Sequence, residues 1–305
     1  MTTARRTVII TGATGGLGLR AASELAAGTD WHVVITGRDR ERTRSAAAEL
    51  GAEPLLLDLG SLADVRRFAE SLSDSERPPL GALVCNAGVQ NVSKPEPVLT
   101  SDGYEETFAV NHLGHFLLTS LLLDRLTPPA RVVVVSSGTH DPALKSGLPD
   151  ARYTTAADLA RPDRSWADGD SPRDAGRRRY ATSKLCNILF TYEADRRWGS
   201  RGITFNAFDP GMMPGTGLAR DYPGYQRLVW RYVMPVLTLR SENINTPRQS
   251  GRALARLITD PALEDVSGRY WAGTREIESS TDSHDPTKAQ DLWQTSLSLT
   301  GLEQG

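Results

Sequence analysis

The sequence predicts a single α/β domain, doubly wound, with a parallel sheet of about seven strands and helices on both faces. Three observations lead there. Short runs rich in valine and isoleucine alternate with longer helical patterns along all 305 residues, the βαβ rhythm of a parallel sheet. The runs are hydrophobic without a break, as strands covered on both faces require. The first run, Val8 to Ile10, gives way at Thr11-Gly12 to a turn crowded with glycines and then to a helix, the strand-turn-helix opening of a Rossmann fold.

Each element follows in order. Strands are expected at Val8–Ile10, Val33–Thr36, Leu55–Leu57, Ala82–Cys85, Arg131–Val135 and Ile203–Phe208, with Tyr270-Trp271 as a seventh after the Ser267-Gly268 turn. Helical periodicity fills the gaps at Leu17–Ala27, Arg40–Leu50, Leu62–Ser71, Asp102–Leu126, Arg178–Trp198 and Pro247–Ile258. The one long irregular stretch, an insertion at about 138–177, mixes Arg161, Arg164 and Arg173 with Asp158, Asp163 and Asp170. Mixed exposed charge sets up no sustained field, so a solvated loop is expected there. From Tyr225 a helical stripe of Leu228, Val229, Tyr232 and Val236 suits either core or subunit packing or a substrate lid over about 212–246.

Composition excludes several classes. A net charge of −2 offers nothing to recruit nucleic acid or an anionic membrane. The most apolar helical segment, from Phe116, is far too short to span a bilayer, and "MTTARRT" enters a strand with no signal-peptide core. The two cysteines, Cys85 and Cys186, fall in segments that read as buried strand and helix, which suits reduced thiols and a cytoplasmic location.

The glycine turn raises the chemical question. Gly12, Thr14, Gly15, Gly16, Leu17 and Gly18 present backbone N–H groups and a helix N-terminus above the carboxyl edge of the sheet, where a pyrophosphate fits; glycines at such a turn also serve plain packing. Strand ends further along agree with a nucleotide. The second strand ends in "TGRD", placing Arg38 where an NAD enzyme would carry an acid, so a 2′-phosphate and NADP(H) are expected. Asp58-Leu59 follows the third strand, and Asn86-Ala87-Gly88, small enough for close backbone approach, follows the fourth. In "YATSK", Tyr180 and Lys184 project from one helix face, so the ammonium can lower the phenol pKa and make it a general acid. Such a pair is common on exposed helices; here it accompanies "VVVVSSG" and "VNHLGHFLL".

Turn, Asp58, "NAG", Asn111, Ser137, Tyr-x-x-x-Lys and Pro210-Gly211, in this order, resemble the short-chain dehydrogenases/reductases over nearly the whole chain. "NHLGHFLL", the long gap before Tyr180, "GMMPGTGL" and "LWQTSLSLTGL" are similar to the branch with retinol dehydrogenases and light-dependent protochlorophyllide reductases. The resemblance implies that Tyr180 gives a proton to a carbonyl oxygen and that Lys184 binds the nicotinamide ribose. Ser137 would polarise the carbonyl and Asn111 support a proton relay, while Pro210, Gly211 and Met213 would complete the cofactor site. Ser136 is the less suitable serine, since side chains alternate at a strand end.

Two departures stand out. A family threonine that bonds the nicotinamide amide is matched by Gly215, with Thr216 one place later, and the cysteine of protochlorophyllide reductases after "PG" is matched by Met212, a thioether with no proton to give. His112 and His115 lack the accompanying ligands of a metal site, and none is expected. The expected activity is hydride exchange between NADP(H) and a carbonyl or alcohol of an apolar, aromatic or polycyclic small molecule. Reduction of a conjugated C=C bond and non-catalytic nucleotide sensing are the alternatives, and homo-oligomer formation stays open.

Overall fold

The computed structural model describes residues 5–28, 30–73, 76–91, 96–162, 169–213 and 245–303, with only the backbone of Pro172. Most of the apolar runs become strands because they can bury both faces; the run at Glu53–Leu56, on the sheet edge, leaves Pro54 and Leu56 exposed. In β1 (Arg6–Ile10), Val8 and Ile10 point into one layer with α1 (Gly16–Ala26), while Ile9 points into the other. β2 (Trp31–Gly37), β3 (Glu53–Leu56), β4 (Leu80–Cys85), β5 (Leu126–Val135), β6 (Ile203–Asp209) and β7 (Arg269–Ala272) complete the parallel part of the sheet, and β6 is buried from end to end.

Strand order is β3-β2-β1-β4-β5-β6-β7-β8, so the chain reverses direction between β1 and β4, where ligands of doubly wound sheets bind. The eighth strand, β8 (Arg275–Ile277), was not expected; it is three residues long and pairs antiparallel with β7, a signal too short for periodicity to carry.

Helices α2 (Arg40–Leu50) and α3 (Leu62–Ser71) lie where the pattern puts them, capped by Asp39 and Ser61. The expected helix Asp102–Leu126 differs. Asp102 accepts from the Leu62 N–H instead of starting its own helix, and Glu105 caps Phe108. The helix then runs as α4 (Glu106–Phe108), a π-helical turn Ala109–Leu113, and α5 (Gly114–Leu122), with Leu126 already in β5. The insertion is also less irregular than expected. It holds α6 (Ala156–Ala160) and the first turns of α7 (Pro172–Trp198), which Ser171 caps and Pro172 starts. Residues 163–168 of the insertion and 214–244 of the segment expected either to pack or to form a lid, with Gly215 and Thr216, lie outside the described residues.

The tail segment noted only as a motif is a helix, α9 (Pro286–Thr300), capped by Asp285. Its Trp293 meets Phe116 edge-on at 5.1 Å and Trp198 at 4.8 Å, closing the layer on which α5 and α7 rest. On the opposite face α8 (Pro247–Thr259), with a Thr246/Gln249 capping box, crosses α1 at Gly251. A Cβ there would stand 2.5 Å from Arg20 Cβ and 2.9 Å from the Arg20 carbonyl carbon, so only glycine lets the helices approach this closely. Gly251→Val is expected to destabilise the chain by about 1–3 kcal/mol through overpacking, read as a lower denaturation midpoint; an unchanged midpoint would show that α8 can stand off α1 without cost.

Candidate active site

The carboxyl ends of β1, β4, β5 and β6 bring Thr11, Asn86, Ser136-Ser137 and Asp209 to one edge of the sheet. Gly12 has φ +64°, and a Cβ on it would lie 2.8 Å from the Ala87 Cα, so the first turn folds against the fourth strand end. Thr11 fastens that contact. Its hydroxyl accepts from the N–H groups of Asn86 and Ala87, both at 2.9 Å, while the Asn86 amide donates to the Thr11 carbonyl at 2.7 Å. With both lone pairs used, the hydroxyl proton is left for His115 Nε2, 2.9 Å away, or the Val84 carbonyl at 3.3 Å. His115 carries its proton on Nδ1, because the Asn111 carbonyl 3.2 Å from that nitrogen can only accept. Burial pushes the His115 pKa down to about 4, so the ring stays neutral.

Asn111 is fully buried in the π turn, a feature that often marks functional sites. Its Oδ1 accepts from Val89 N–H at 2.8 Å, and its Nδ2 donates to the Val89 carbonyl at 3.1 Å and to Ser183 Oγ at 2.9 Å. His112 is held by Ser296 at 2.9 Å and is likewise neutral, its pKa pushed by burial down to about 3. Among the described residues no group of His, Cys, Asp and Glu is arranged to hold a metal ion.

From α7 come Tyr180 and Lys184, both buried. Lys184 Nζ donates to the Val135 carbonyl at 3.0 Å, and Ser136 Oγ donates back to the Lys184 carbonyl at 2.8 Å, so Ser136 faces α7. Ser137 instead lies on the side of the Tyr180 phenol, where its hydroxyl favours the ionised form. The expectation that Lys184 lowers the phenol pKa needs correction for this arrangement. Burial and then the Asp209 charge raise it, the Ser137 hydroxyl alone pulls it down, and the ammonium sits 5.6 Å from the ring centroid, engaged with Val135. Burial brings Lys184 itself down to about 8.

The remaining expected cofactor residues divide by environment. α1 differs from α2, α3, α7, α8 and α9 in having no side-chain cap: Gly15 stands at its start, its first turn has no acid, and a Cβ on Gly15 or Gly16 would meet nothing within 4 Å. Free N–H groups beside open space are the donor set a pyrophosphate takes, so the residues fit a dinucleotide. Thr14 lies by Gly37, and Leu17 and Gly18 pack inward. Arg38 is 59% exposed and 3.8 Å from Glu106. Asp58 caps its own turn at Gly60 N–H, 3.0 Å, and Leu59 is buried. Gly88 borders Asn111 and Lys184. The Pro210 carbonyl accepts from Ser250 at 2.7 Å, Gly211 turns the chain with φ +72°, and the Met213 side chain is buried in the core beneath. Motif reading passed over Asp209 and His140; the only signal for Asp209 is a charged residue closing an otherwise uncharged strand.

Comparison with known proteins agrees with this geometry. Residues 6–147 match the short chain dehydrogenase family and residues 219–305 an AcuH dehydrogenase domain. Across 97% of its length the chain is 37% identical to protochlorophyllide reductase A of Oryza sativa subsp. japonica, covering 80% of that protein. It is 36% identical to the protochlorophyllide reductase of Avena sativa over 97% of this chain and 99% of that one. A solved structure of an uncharacterized protein from Mycobacterium paratuberculosis superposes with a TM-score of 0.69 at 30% identity, over 98% of this chain and 95% of that one. The chain belongs to the short-chain dehydrogenase/reductase family of oxidoreductases and lies near its protochlorophyllide reductases. Among the described residues no helix is long and apolar enough to cross a membrane.

The buried lysine has a pH signature. Its folded pKa, about 8, lies below its ordinary 10.5, so between these values the unfolded chain binds a proton that the folded chain has lost, and stability rises with pH. Below pH 8 the cost of the buried charge is present in full. Lys184→Met removes it, and the variant is expected to be more stable at pH 7 by up to about 3 kcal/mol, less the lost bond to Val135, with no slope of this origin above pH 8. Denaturation of both proteins across pH 7–11 checks this; parallel curves would mean that Lys184 is not desolvated.

Proposed function

We propose that this chain is an NADP(H)-dependent oxidoreductase exchanging hydride with the carbonyl or alcohol carbon of an apolar small molecule, aromatic or polycyclic in class. The observation that carries the reading is the Ser137–Tyr180 hydroxyl pair with Lys184 buried behind it. NADPH, when bound, supplies the hydride. Tyr180, kept protonated by burial, gives its proton to the carbonyl oxygen and recovers it in the oxidative direction. Ser137 donates a hydrogen bond to the same oxygen, worth about 3 kcal/mol as charge develops there. Lys184, with a pKa of about 8, holds a transferable proton near neutral pH, and Asn111 steadies the Gly88-Val89 backbone beside it.

The phosphates belong on the uncapped start of α1 and the 2′-phosphate on Arg38. NADP(H) also suits the protochlorophyllide reductase relatives and the shared fold, at a TM-score of 0.63 and 21% identity, with a blue fluorescent protein solved in complex with NADPH. Two free, buried thiols suit a reducing, cytoplasmic setting.

A second reading, reduction of a conjugated C=C bond, is favoured by the names of the relatives and shares nearly every residue. Against its light-driven form stands Met212, 39% exposed after Gly211 where the resemblance expects cysteine. An NADPH-depletion screen in darkness against apolar ketones, aldehydes, quinones and enones, with products identified by mass, is expected to show C=O reduction. Chlorophyllide formed from protochlorophyllide only under illumination, or dark reduction of an enone at C=C, would replace the first reading with the second.

Tyr180→Phe is expected to cut turnover by about 10²–10⁴ while leaving NADPH binding nearly unchanged; retention of more than a tenth of the rate would remove Tyr180 as the acid. For the cofactor, fluorescence titration should give tighter binding of NADPH than NADH, with Arg38→Asp narrowing or reversing the difference. Equal affinities in the native protein would take Arg38 out of the role.

A further inference from the structure

Asp209, the last residue of β6, plays no part in the chemistry above, yet the residue is only 5% exposed at the centre of the site. Two backbone turns converge on it. Gly211 N–H donates to Oδ1 at 2.9 Å, and the Gly138 backbone lies against Oδ2. Gly138 comes so near that a Cβ on it would lie 3.1 Å from Oδ2. These turns belong to different loops: Gly138 follows Ser137 at the end of β5, and Gly211 follows Pro210 at the end of β6. His140 supports the first loop from below. Its Nε2 accepts from Ser280 N–H at 3.1 Å, so its proton is on Nδ1, donated to the Ser137 carbonyl at 2.7 Å. Its ring packs edge-on against Tyr270 at 5.1 Å, and the Tyr270 phenol faces Asp209.

We propose that Asp209 is a positioning residue that clamps the Ser137-Gly138 turn to the Pro210-Gly211 turn and thereby sets the Ser137 hydroxyl against Tyr180. The inference rests on the roles given above to Ser137 and Tyr180. A carboxylate suits the place, because Oδ1 takes the Gly211 N–H while Oδ2 faces the Gly138 backbone, and an amide would turn a donor of its own toward one of the two. The titratable and charged groups facing Asp209 are His140 from the β5 loop, Tyr270 from β7, and Tyr180 and Lys184 from α7, with Asp141 adjacent to His140 and Tyr270. Toward Tyr180 and Lys184 its charge favours the protonated forms, keeping the proton on the acid until substrate draws it off.

Two measurements test the clamp without any substrate, so a wrong assignment of the reaction leaves them intact. The first is amide hydrogen exchange in native protein and Asp209→Asn. Both the Gly138 and Gly211 amides should be protected in the native chain, and the variant should exchange at least tenfold faster at Gly138 with β6 and α7 unchanged. The second is the tyrosinate absorbance titration of each protein, less that of its Tyr180→Phe counterpart, in which Tyr180 should ionise at lower pH once Asp209 is Asn. Free exchange of Gly138 in the native chain overturns the proposal even if the variant does not fold. Unaltered exchange and titration in Asp209→Asn overturn it too, and exchange accelerated uniformly across β6, β7 and α7 would assign Asp209 to general stability instead.

Discussion

Val135 ends β5 with its carbonyl oxygen shared between two donors from α7, Lys184 Nζ and Asn187 Nδ2, each at 3.0 Å, and Ser136 returns a third bond to the Lys184 carbonyl. This junction fixes both the height and the rotation of α7 on the sheet. Rotation decides whether Tyr180 faces Ser137, and height decides whether Ser183 reaches Asn111 in the π turn. A buried ammonium is a costly way to hold a helix, since its charge has left water for a single carbonyl. The neutral His115 and the opposing charge of Asp209 flank the same ammonium from two other elements, the first disfavouring its proton only if it were itself charged, the second favouring it. The acid-base pair is therefore a product of four strand ends and two helices meeting, and no local segment could build it.

Much of this was legible in the sequence because it rests on local rules. Val8 to Ile10 announce a strand, Gly12 a turn pressed on its neighbour, and the i, i+4 spacing of Tyr180 and Lys184 a shared helix face. What periodicity missed was set by distant partners. Asp102 looked like the start of a helix, but its carboxylate is taken by the Leu62 N–H, forty residues away in sequence, and the helix starts later. The π turn at Ala109–Leu113 leaves no trace in the hydrophobic pattern, since every residue in it is buried. α9 reads as mixed polar residues until Trp293 is seen between Phe116 and Trp198. Asp209 was silent for a related reason: its carboxylate sits between loops that follow two different strands.

The two thiols illustrate how burial sorts reactive from inert groups. Cys85 lies on β4 beside Thr119, its pKa pushed up to about 12, and Cys186 lies on the far side of α7 from the sheet edge, also raised by burial. Neither has the positive neighbour that would expose a thiolate, so both serve as small apolar fillers. Proton-transfer capacity is concentrated in Tyr180, Lys184 and the serines around them.

The bare start of α1 carries a consequence for the energetics of the whole chain. Among the described residues, every other helix of ten residues or more brings its own oxygen to its first turn, whereas α1 leaves those donors to be completed by an incoming anion. The dinucleotide is thus, in effect, a missing piece of secondary structure: part of its binding free energy is the capping energy this helix forgoes. Binding linkage then makes cellular cofactor supply a determinant of how long the protein persists, with the fraction folded rising as the ligand concentration passes its dissociation constant. Since α1 packs along α8 through Gly251, that stabilisation extends from the nucleotide edge to the helix on the chain's later half.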